Sequence, residues 1–192
     1  MPVSAAVMAG GKSRRMGRDK AWLELGGRPI IERVVDVLRE VADEVLVVAN
    51  DARYGALGLR VVPDRFPEGG ALGGIATGVW AATHERVLVV ACDMPFLGAD
   101  VLRLLLSHAP EADAVVPRVG GQFETLHAVY SKACLPAMER ALAAGRMRVL
   151  SFYDDVRVRA VEEDELRTVD PELRSFTNVN TPEELAVVRD RQ

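Results

Sequence analysis

The sequence predicts an α/β fold with a Rossmann-like, mostly parallel sheet flanked by helices. Short apolar runs rich in Val and Ala, without polar alternation, recur along the chain. Runs of this kind are typical of strands buried on both faces. Segments with helical spacing of apolar residues lie between them, and strand–helix alternation predicts a parallel sheet with right-handed crossovers.

The five apolar runs are the predicted strands. They are Ser4–Met8, Glu44–Ala49, Arg60–Val62, Val87–Cys92 and Ala114–Pro117. Three segments between them are predicted helices: Pro29–Val41, Leu72–His84 and Asp100–His108. The proline that opens the first of these helices occupies the first turn, where its missing N–H group is tolerated.

The second half of the chain alternates less regularly. The loose alternation of Gly121–Tyr130 predicts a strand outside the parallel order, and Leu135–Leu142 and Pro182–Arg189 are predicted helices. Thr181 lies just before the proline of the last segment and Glu184 follows three residues after Thr181. This spacing is that of a capping box with proline at the first helical position.

Length and composition fit one globular domain, which we expect to span residues 1–192. The chain has 192 residues, of which 49% are apolar and 27% charged, enough for one sizeable core. Its formal net charge of −4 provides no global basic field, so we expect no nucleic-acid partner. An anionic ligand would have to meet a local cluster of cations.

Cysteine usage and hydropathy exclude further classes of protein. Cys92 and Cys134 are far apart and outside any CxxC pattern, whereas a structural zinc site needs about four Cys or His ligands in close pairs. The longest apolar run, Val87–Cys92, is far shorter than the roughly 20 residues that span a bilayer. No basic leader precedes the first apolar residues, unlike a secretory signal. We therefore expect a soluble, cytoplasmic protein with no membrane partner.

Four segments with candidate chemistry follow predicted strands, and ligands of open parallel sheets bind outside the carboxyl ends of the strands. The first segment, Met8–Lys20, has two adjacent glycines followed by five cations, a combination that suits a triphosphate. It is not a Walker A loop, because Ala6 stands where that loop needs a glycine. It is not GxGxxG, because Lys12 occupies the second glycine position. A charged surface loop is the alternative interpretation.

The second segment, Ala91–Pro95, contains Asp93 directly after the most apolar strand. A carboxylate that emerges from a buried strand carries a desolvation cost unless a cation or hydrogen-bond donors meet it. Mg²⁺ prefers oxygen ligands and often shares them with phosphates. Asp93 is therefore a candidate Mg²⁺ ligand, and the alternative is an aspartate that caps the next turn.

The third and fourth segments are a glycine-rich loop and an Asn-rich loop. Val62–Gly74 leads into a helix, so its N–H groups and the helix N-terminus could face an anion; a mobile loop is the alternative. The fourth segment contains Asn178 and Asn180, which could cap a helix or contact a ligand. Because Thr181 already supplies the cap, Asn180 is available for a ligand.

Together these segments resemble the molybdenum cofactor guanylyltransferase family. The family's motif types LAGGxSxRMGxDK, PDxxPxxGPLxG, CDMP and NVNTPE correspond to Met8–Lys20, Pro63–Gly74, Cys92–Pro95 and Asn178–Glu183. They occur in the family's order and spacing, so the resemblance covers essentially the whole chain. The departures are Met8 in place of Leu and Ala71 in place of Pro, and neither removes a chemical group.

The resemblance implies a nucleotide-diphospho-sugar transferase-like fold with a nucleotide-binding half, residues 1–117, and a more mixed acceptor-binding half, residues 118–192. It implies transfer of GMP from GTP to the terminal phosphate of molybdopterin carrying molybdenum, with Mg²⁺ as cofactor. The products would be molybdopterin guanine dinucleotide and pyrophosphate. GTP and molybdopterin, with or without molybdenum, are the implied small-molecule partners. Molybdoenzymes and other cofactor-biosynthesis proteins are the candidate protein partners.

Matching positions carry the family's site residues to this chain. Nucleotide contacts fall on Met8, Ala9, Gly10, Gly11, Lys20, Asn50, Asp64 and Asp93. Catalytic roles fall on Arg15, Lys20 and Asp93, the metal on Asp93, and acceptor contacts on Asn178 and Asn180. Positioning and charge stabilisation dominate phosphoryl transfer. Because the acceptor is already a phosphate anion, no protein base is needed, and we expect His127 to be structural or to line the acceptor site.

Three other functions remain open on the sequence. A molybdenum cofactor cytidylyltransferase has a similar opening loop, but typically LAAG where this chain has Met8–Gly11, and it lacks a stretch like Gly70–Gly74. A sugar-1-phosphate nucleotidyltransferase usually has a larger sugar-binding half. A non-catalytic nucleotide-binding adaptor would be expected to lack Lys20 or Asp93, and both are present.

Overall fold

The computed structural model describes residues 1–9 and 20–179, with Lys20 described by its backbone alone. The strands are β1 Val3–Met8, β2 Glu24–Leu25, β3 Arg28–Pro29, β4 Glu44–Val48, β5 Arg60–Val62, β6 Arg86–Ala91, β7 Ala114–Val119, β8 Gln122–Phe123, β9 His127–Ser131 and β10 Val158–Glu162. The α-helices are α1 Ile30–Arg39, α2 Gly70–Ala81, α3 Ala99–His108, α4 Leu135–Ala143 and α5 Glu163–Arg167. Short 3₁₀ segments include Ala52–Leu57, Val149–Asp155 and Arg174–Phe176.

One main sheet organises the described residues, and its hydrogen-bonded order is β10-β7-β9-β6-β1-β4-β5, with β8 paired to β7. β1 is parallel to β4 and β6, β4 to β5, and β7 to β10. β9 is antiparallel to both of its neighbours, β6 and β7, and β8 is antiparallel to β7. β2 and β3 form a separate antiparallel pair. The predicted fold class, a mostly parallel sheet flanked by helices, is confirmed.

Burial on both faces explains the continuous apolar runs of the central strands. In β1, Ala5 and Val7 belong to one hydrophobic cluster, and Ala6 and Met8 belong to the other. α1 and α3 contribute to the first cluster, and α2 and α4 to the second. A fully buried Val or Leu side chain contributes about 1.5–3 kcal/mol relative to an exposed one. The two helical layers therefore cover the sheet and leave its strand ends for the loops.

All five predicted strands are present, and the strand predicted as Ala114–Pro117 continues to Val119. The strand predicted within Gly121–Tyr130 is split into β8 and β9, both antiparallel to their neighbours. The helix predicted to reach His84 ends at Ala81. The chain leaves the helix there because the Glu44 carboxylate accepts hydrogen bonds from the Thr83 N–H and hydroxyl groups, at 2.7 and 2.9 Å.

The predicted helix Pro182–Arg189 and its capping box lie outside the described residues. β10 and α5 were not predicted. Among the helices that the structure does describe, none has the length and apolar character required to cross a bilayer.

Candidate active site

The carboxyl edge of the main sheet, where β1, β4, β5 and β6 end, brings the predicted site segments together. The Ala9 N–H group donates to the Val48 carbonyl over 3.0 Å, and the Cys92 N–H group donates to the Met8 carbonyl over 3.2 Å. These two bonds extend the backbone hydrogen bonding of β1 with β4 and with β6 by one residue beyond the strands. The loops after β1 and β6 therefore start side by side, so the predicted triphosphate-binding segment begins next to the segment that contains the predicted Mg²⁺ ligand, Asp93.

Met8 and Ala9 lie at this edge in different environments. The Met8 side chain is buried and packs against α2, where Cβ atoms placed on Gly74 and Gly78 would lie 3.4 Å from its Sδ and 3.1 Å from its Cε. Ala9 is partly buried against the opposite cluster. The Met8 side chain is thus committed to packing. Of the remaining residues predicted for this loop, Gly10, Gly11 and Arg15 lie outside the described residues, as does the Lys20 side chain.

A hydrogen-bond network joins Asn50, Asp64 and Thr77 beyond the ends of β4 and β5. The Asp64 N–H group donates to Asn50 Oδ1 over 2.9 Å. Asp64 Oδ1 accepts from the Phe66 N–H group at 2.8 Å and lies 3.0 Å from the Thr77 hydroxyl. The Thr77 oxygen in turn accepts from the Arg65 N–H group over 3.1 Å. Two residues predicted to contact the nucleotide are therefore in direct contact, and a helix residue fixes the orientation of one carboxylate.

Thr77 is a site residue that sequence reasoning missed. It is fully buried and is the one hydroxyl-bearing residue of α2, whose other members are small or apolar. A hydroxyl in an otherwise apolar buried helix needs a hydrogen-bond partner, and that mismatch was the available signal. The partner could not be named because Asp64 and Thr77 meet only through the loop between β5 and α2.

The start of α2 lies next to this network and exposes backbone donors. Within the described part of the chain no side chain caps the helix at Gly69, and Gly70 has a φ of +58°, a left-handed conformation that favours glycine. Uncapped first-turn N–H groups are suited to an anionic ligand. That the glycine-rich loop faces an anionic ligand stays a prediction.

Asp93 and the Asn178 segment meet at the end of β6. The Val179 N–H group donates to the Asp93 carbonyl over 3.1 Å. Asp93 is partly buried and Asn178 is exposed. Asn180, the other predicted acceptor contact, lies outside the described residues. The predicted metal ligand and part of the predicted acceptor segment therefore share one place on the edge.

The donor set at this place fits a metal that takes most of its ligands from a substrate. No group of three or more His, Cys, Asp or Glu residues that could hold a metal ion occurs within residues 1–9 and 20–179. Mg²⁺ is typically bound through one or two carboxylates, with phosphates and water completing its shell. A single carboxylate such as Asp93 fits that mode and does not fit a metal cage built from protein alone.

His127 lies at the start of β9, beside the end of β6, and pairs in register with Val90. Its side chain is fully buried, and neither ring nitrogen has a hydrogen-bond partner among the residues that the structure describes. The ring packs against Phe176, with centroids 4.6 Å apart. Burial lowers the pKa of His127 to about 4, against a smaller opposing effect of the Asp170 charge. His127 is therefore neutral near pH 7 and is inaccessible to solvent.

An ion pair marks the far end of the same edge, where β7 and β10 end. Arg118 donates to both oxygens of the Glu162 carboxylate, over 3.0 and 2.6 Å. The Gly120 N–H group donates to Glu163, and this hydrogen bond is the largest of the interactions that lower the pKa of that carboxyl. Both side chains of the Arg118–Glu162 pair are nearly half exposed, so a ligand could reach them.

Comparison with known proteins gives a consistent result. The sequence profile of the MobA-like NTP transferase domain matches residues 5–158. A probable molybdenum cofactor guanylyltransferase of Pelotomaculum thermopropionicum is 43% identical, with 98% of this chain and 93% of that protein covered. The molybdenum cofactor guanylyltransferase of Desulfosudis oleivorans is 41% identical, with 95% and 92% covered.

A solved structure agrees with these relatives. The molybdopterin-guanine dinucleotide biosynthesis protein A of Archaeoglobus fulgidus has a TM-score of 0.83 and 27% sequence identity to this chain, and covers 98% of this chain and 97% of its own. The match extends over both halves of the fold. The chain therefore belongs to the MobA-like NTP transferase family and, within it, to the molybdenum cofactor guanylyltransferases, nucleotidyltransferases of molybdenum cofactor biosynthesis.

Proposed function

We propose that this chain transfers GMP from GTP to the terminal phosphate of molybdopterin carrying molybdenum. The products are molybdopterin guanine dinucleotide and pyrophosphate. The observation that carries the proposal is the gathering of the Asn50–Asp64–Thr77 network, Asp93 and Asn178 along one sheet edge. Curated relatives that match nearly the full length are named guanylyltransferases.

The order of strands supports a division of labour along the carboxyl edge. Asn50 and Asp64 follow β4 and β5 at one side, Asp93 follows β6 at the centre, and β9, β7 and β10 lie beyond it. We assign the base and ribose of GTP to the first side, the phosphates to the centre, and the acceptor to the far side. We therefore propose a nucleotide-binding half of residues 1–117 and an acceptor-binding half of residues 118–192, with β7 crossing the boundary between them.

The reaction is an in-line displacement at the α-phosphorus of GTP. A terminal phosphate oxygen of the acceptor forms the new P–O bond, the bond to the β-phosphate oxygen breaks, and pyrophosphate leaves with the electron pair. No proton has to be removed from an acceptor that is already an anion, which agrees with a neutral, inaccessible His127. The work of the protein is then orientation and charge stabilisation. We assign charge stabilisation of the leaving group to Arg15, Lys20 and the Gly10–Gly11 amides.

Mg²⁺ is the proposed cofactor, and Asp93 is the residue that would hold it. Bound there, the ion neutralises charge on the phosphate oxygens of the nucleotide. Asp93 follows a strand that is buried almost throughout, so its position on the edge is set by a rigid element.

Asp93→Asn tests the metal assignment. The two side chains are nearly isosteric, so the fold should be retained, and we expect turnover at saturating GTP to fall about 10²-fold or more. Steady-state rates across a Mg²⁺ titration measure the effect. The exposed Glu111, just before β7 and therefore at the opposite edge of the sheet, offers the control, since Glu111→Gln removes a surface carboxylate there. Near-wild-type turnover of Asp93→Asn at low Mg²⁺ would remove Asp93 from the site.

Competition between GTP and CTP decides between guanylyl and cytidylyl transfer. Guanine offers an N1–H and an exocyclic amino group as donors, and a pocket built for them leaves acceptors unpaired with cytosine, at about 1–3 kcal/mol for each buried group. We expect GTP to be preferred at least about tenfold in kcat/KM. Purified protein, molybdopterin and both nucleotides at equal concentration give products that mass spectrometry resolves. A mainly cytosine-containing product assigns the cytidylyltransferase function instead, and binding without turnover assigns an adaptor.

We place the reaction in the cytoplasm, where GTP is available. The expected protein partners are molybdoenzymes that receive the dinucleotide and other proteins of cofactor biosynthesis. Pull-down of a tagged chain from a producing cell, with and without molybdate in the medium, tests these partners.

A further inference from the structure

Glu124 is a carboxylate at the carboxyl edge with no counterpart in the binding network described above. It lies in the turn between β8 and β9, where its N–H group donates to the Pro117 carbonyl over 2.9 Å and its carbonyl accepts from the His127 N–H group over 3.1 Å. The backbone of Glu124 is therefore fixed at both polar groups. Its side chain is only partly exposed.

The Glu124 carboxyl lacks a partner of its own. Within residues 1–9 and 20–179, no cation and no hydrogen-bond donor contacts it, and burial raises its pKa from the usual value. A partly buried carboxylate without donors costs free energy that a ligand with donors recovers. Three residues on, the fully buried His127 also has both ring nitrogens without partners. The buried imidazole is out of reach of a ligand, so the partly exposed Glu124 carboxylate is the group of this turn whose hydrogen bonds a ligand would complete.

The position of this turn is on the acceptor side of Asp93. The Ala91 N–H group donates to the Leu126 carbonyl over 2.9 Å, so the Glu124 turn and the Asp93 loop lie next to each other. The His127 ring packs against Phe176, which leads into Asn178. Asn50 follows β4, three strands away from β9, which corresponds to about 14 Å at 4.8 Å per strand spacing. Glu124 is therefore next to the acceptor segment and distant from the base-side network.

The charge of Glu124 restricts what it can recognise. A carboxylate repels phosphate and accepts hydrogen bonds from N–H groups, best from two adjacent donors in one plane. The acceptor of the proposed reaction has one such feature, the 2-amino-4-oxopyrimidine edge of its pterin, with an amino group next to a ring N–H. Guanine has the same edge, but the proposed base side lies at β4 and β5.

We propose that Glu124 recognises the pterin ring of the acceptor, by accepting hydrogen bonds from the amino group and ring N–H of its pyrimidine edge. This inference rests on the proposed function, because it needs an acceptor that carries a pterin. It gives the acceptor two points of attachment: the phosphate near Asp93 and the heterocycle at Glu124. A specificity residue for the acceptor thus lies on an element outside the Asn178–Asn180 motif.

Glu124→Gln tests the proposal, because it keeps the size of the side chain and removes the charge and one acceptor oxygen. We expect the KM for molybdopterin to rise about tenfold or more, while kcat at saturation and the KM for GTP stay within about twofold. The exposed Glu111, after α3, supplies the control variant Glu111→Gln. Thermal unfolding is measured on both, and we expect Glu124→Gln to be at least as stable as the wild type, since it removes a poorly solvated charge.

Two inhibitors that differ at one group give a readout that a structural role would not produce. Pterin-6-ylmethyl phosphate carries the amino group, and the corresponding lumazine phosphate carries a carbonyl in its place. Wild-type protein should bind the pterin compound at least about tenfold more tightly in competition with molybdopterin, and Glu124→Gln should reduce that ratio to about threefold or less. GTP and xanthosine triphosphate differ in the same way, since xanthine has a carbonyl where guanine has the amino group. The ratio of their affinities should be the same in the wild type and in Glu124→Gln.

Four other outcomes of these experiments can be told apart. An unchanged pterin-to-lumazine ratio in Glu124→Gln overturns the inference, and so does a parallel loss of stability and of GTP affinity, which indicates a structural role. A change in the GTP-to-xanthosine ratio moves Glu124 to the guanine base and also overturns it. If the wild type itself transfers no GMP to molybdopterin, the proposed function fails first, irrespective of Glu124.

Discussion

Thr77 shows how one buried hydroxyl can prepare a carboxylate for a ligand. Its oxygen lies 3.0 Å from Asp64 Oδ1 and 2.9 Å from the Gly73 carbonyl, and accepts from the Arg65 N–H group. The single hydroxyl proton serves either Asp64 or the Gly73 carbonyl at a given moment. Asp64 Oδ1 is occupied within the protein in either case, because the Phe66 N–H group also donates to it. Oδ2 is then the Asp64 atom that a nucleotide would use.

Thr77→Val should weaken nucleotide binding and lower stability together. Valine has nearly the same shape, but the Arg65 N–H group loses its acceptor, which costs about 1–3 kcal/mol of unfolding free energy when the group stays buried. We expect the KM for GTP to rise about three- to tenfold as Asp64 loses a partner, with the KM for the acceptor unchanged. Steady-state kinetics and urea unfolding measure the two effects.

Thr77→Ser is the matched control, because it restores the hydroxyl and removes only a methyl group. It should recover most of the GTP affinity. If Thr77→Val and Thr77→Ser lower stability equally and leave the KM for GTP untouched, the hydroxyl has a packing role and does not position Asp64.

The site residues that were predicted from the sequence are those that directly follow a parallel strand. Asn50, Asp64 and Asp93 each follow a strand, and the carboxyl ends of parallel strands meet at one edge. Their mutual contacts were not predictable, because the bond between Asn50 and the Asp64 N–H group depends on the paths of two loops. Glu124 follows a two-residue strand and precedes an antiparallel one, so the same rule did not reach it.

At the scale of elements, α2 approaches its neighbours closely because of its glycines. A Cβ on Gly78 would lie 2.9 Å from the Ala6 Cβ, and a Cβ on Gly73 would lie 2.5 Å from the Phe66 carbonyl oxygen. Real Cβ atoms do not come so close, so glycine is required at both positions for contact with β1 and with the loop. The glycine-rich motif therefore has a packing function in addition to any contact with a ligand.

Gly73→Ala should displace the loop before α2 and reduce GTP binding. The added methyl group meets the Phe66 carbonyl, which accepts the Gly69 N–H group over 2.7 Å, so that turn has to open. We expect a loss of about 1–3 kcal/mol in unfolding free energy, typical of overpacking, and a higher KM for GTP.

Gly55→Ala is the control, because it also replaces a helical glycine by alanine, a better helix former. No atom of residues 1–9 or 20–179 beyond its chain neighbours lies within 4 Å of a Cβ placed there. It should leave both measurements close to the wild type. Equal stability of Gly73→Ala and Gly55→Ala would show that the loop adapts without cost.

The central strands of the sheet were predicted from their uniform burial, and the edge strand β10 was not predicted. β1 and β6 are buried almost throughout, so their composition alone identifies them. β10 has only Val161 fully buried among its five residues, because it is an edge strand of the sheet. Arg159 and Glu162 also interrupt the apolar pattern of its sequence. The internal position of β9 was also unpredictable, because an antiparallel strand between β6 and β7 is set by tertiary pairing.

At the scale of the whole molecule, β9 divides the sheet into two parallel parts. The strands β5, β4, β1 and β6 form a continuous parallel block, and β7 and β10 form a second parallel pair on the other side of β9. The reversed strand brings its first residues, rather than its last, to the carboxyl edge. His127 and the Glu124 turn therefore reach this edge from the opposite chain direction, on the side to which we assign the acceptor.

The buried His127 links this architecture to the pH dependence of global stability. Its pKa is about 4 in the folded protein, against an ordinary value of 6.5. Above pH 6.5 the imidazole is neutral in both the folded and unfolded states and has no effect on the balance. As the pH falls from 6.5 towards 4, the unfolded chain takes up a proton that the folded chain does not, so stability is lost over that window.

We expect His127→Phe to remove this loss. The difference between the two pKa values corresponds to roughly 3 kcal/mol of unfolding free energy between pH 6.5 and 4. The free energy of unfolding of the variant should therefore exceed that of the wild type by about that much more at pH 4 than at pH 6.5. Phenylalanine keeps a ring against Phe176 and eliminates two unpaired nitrogens, so the variant should fold. Urea unfolding at half-unit pH steps gives both curves, and the carboxylates common to the two proteins cancel in their difference. Parallel curves from pH 7 to 4 would mean that His127 does not titrate with a depressed pKa, and that the imidazole finds a partner or solvent when the molecule is acidified.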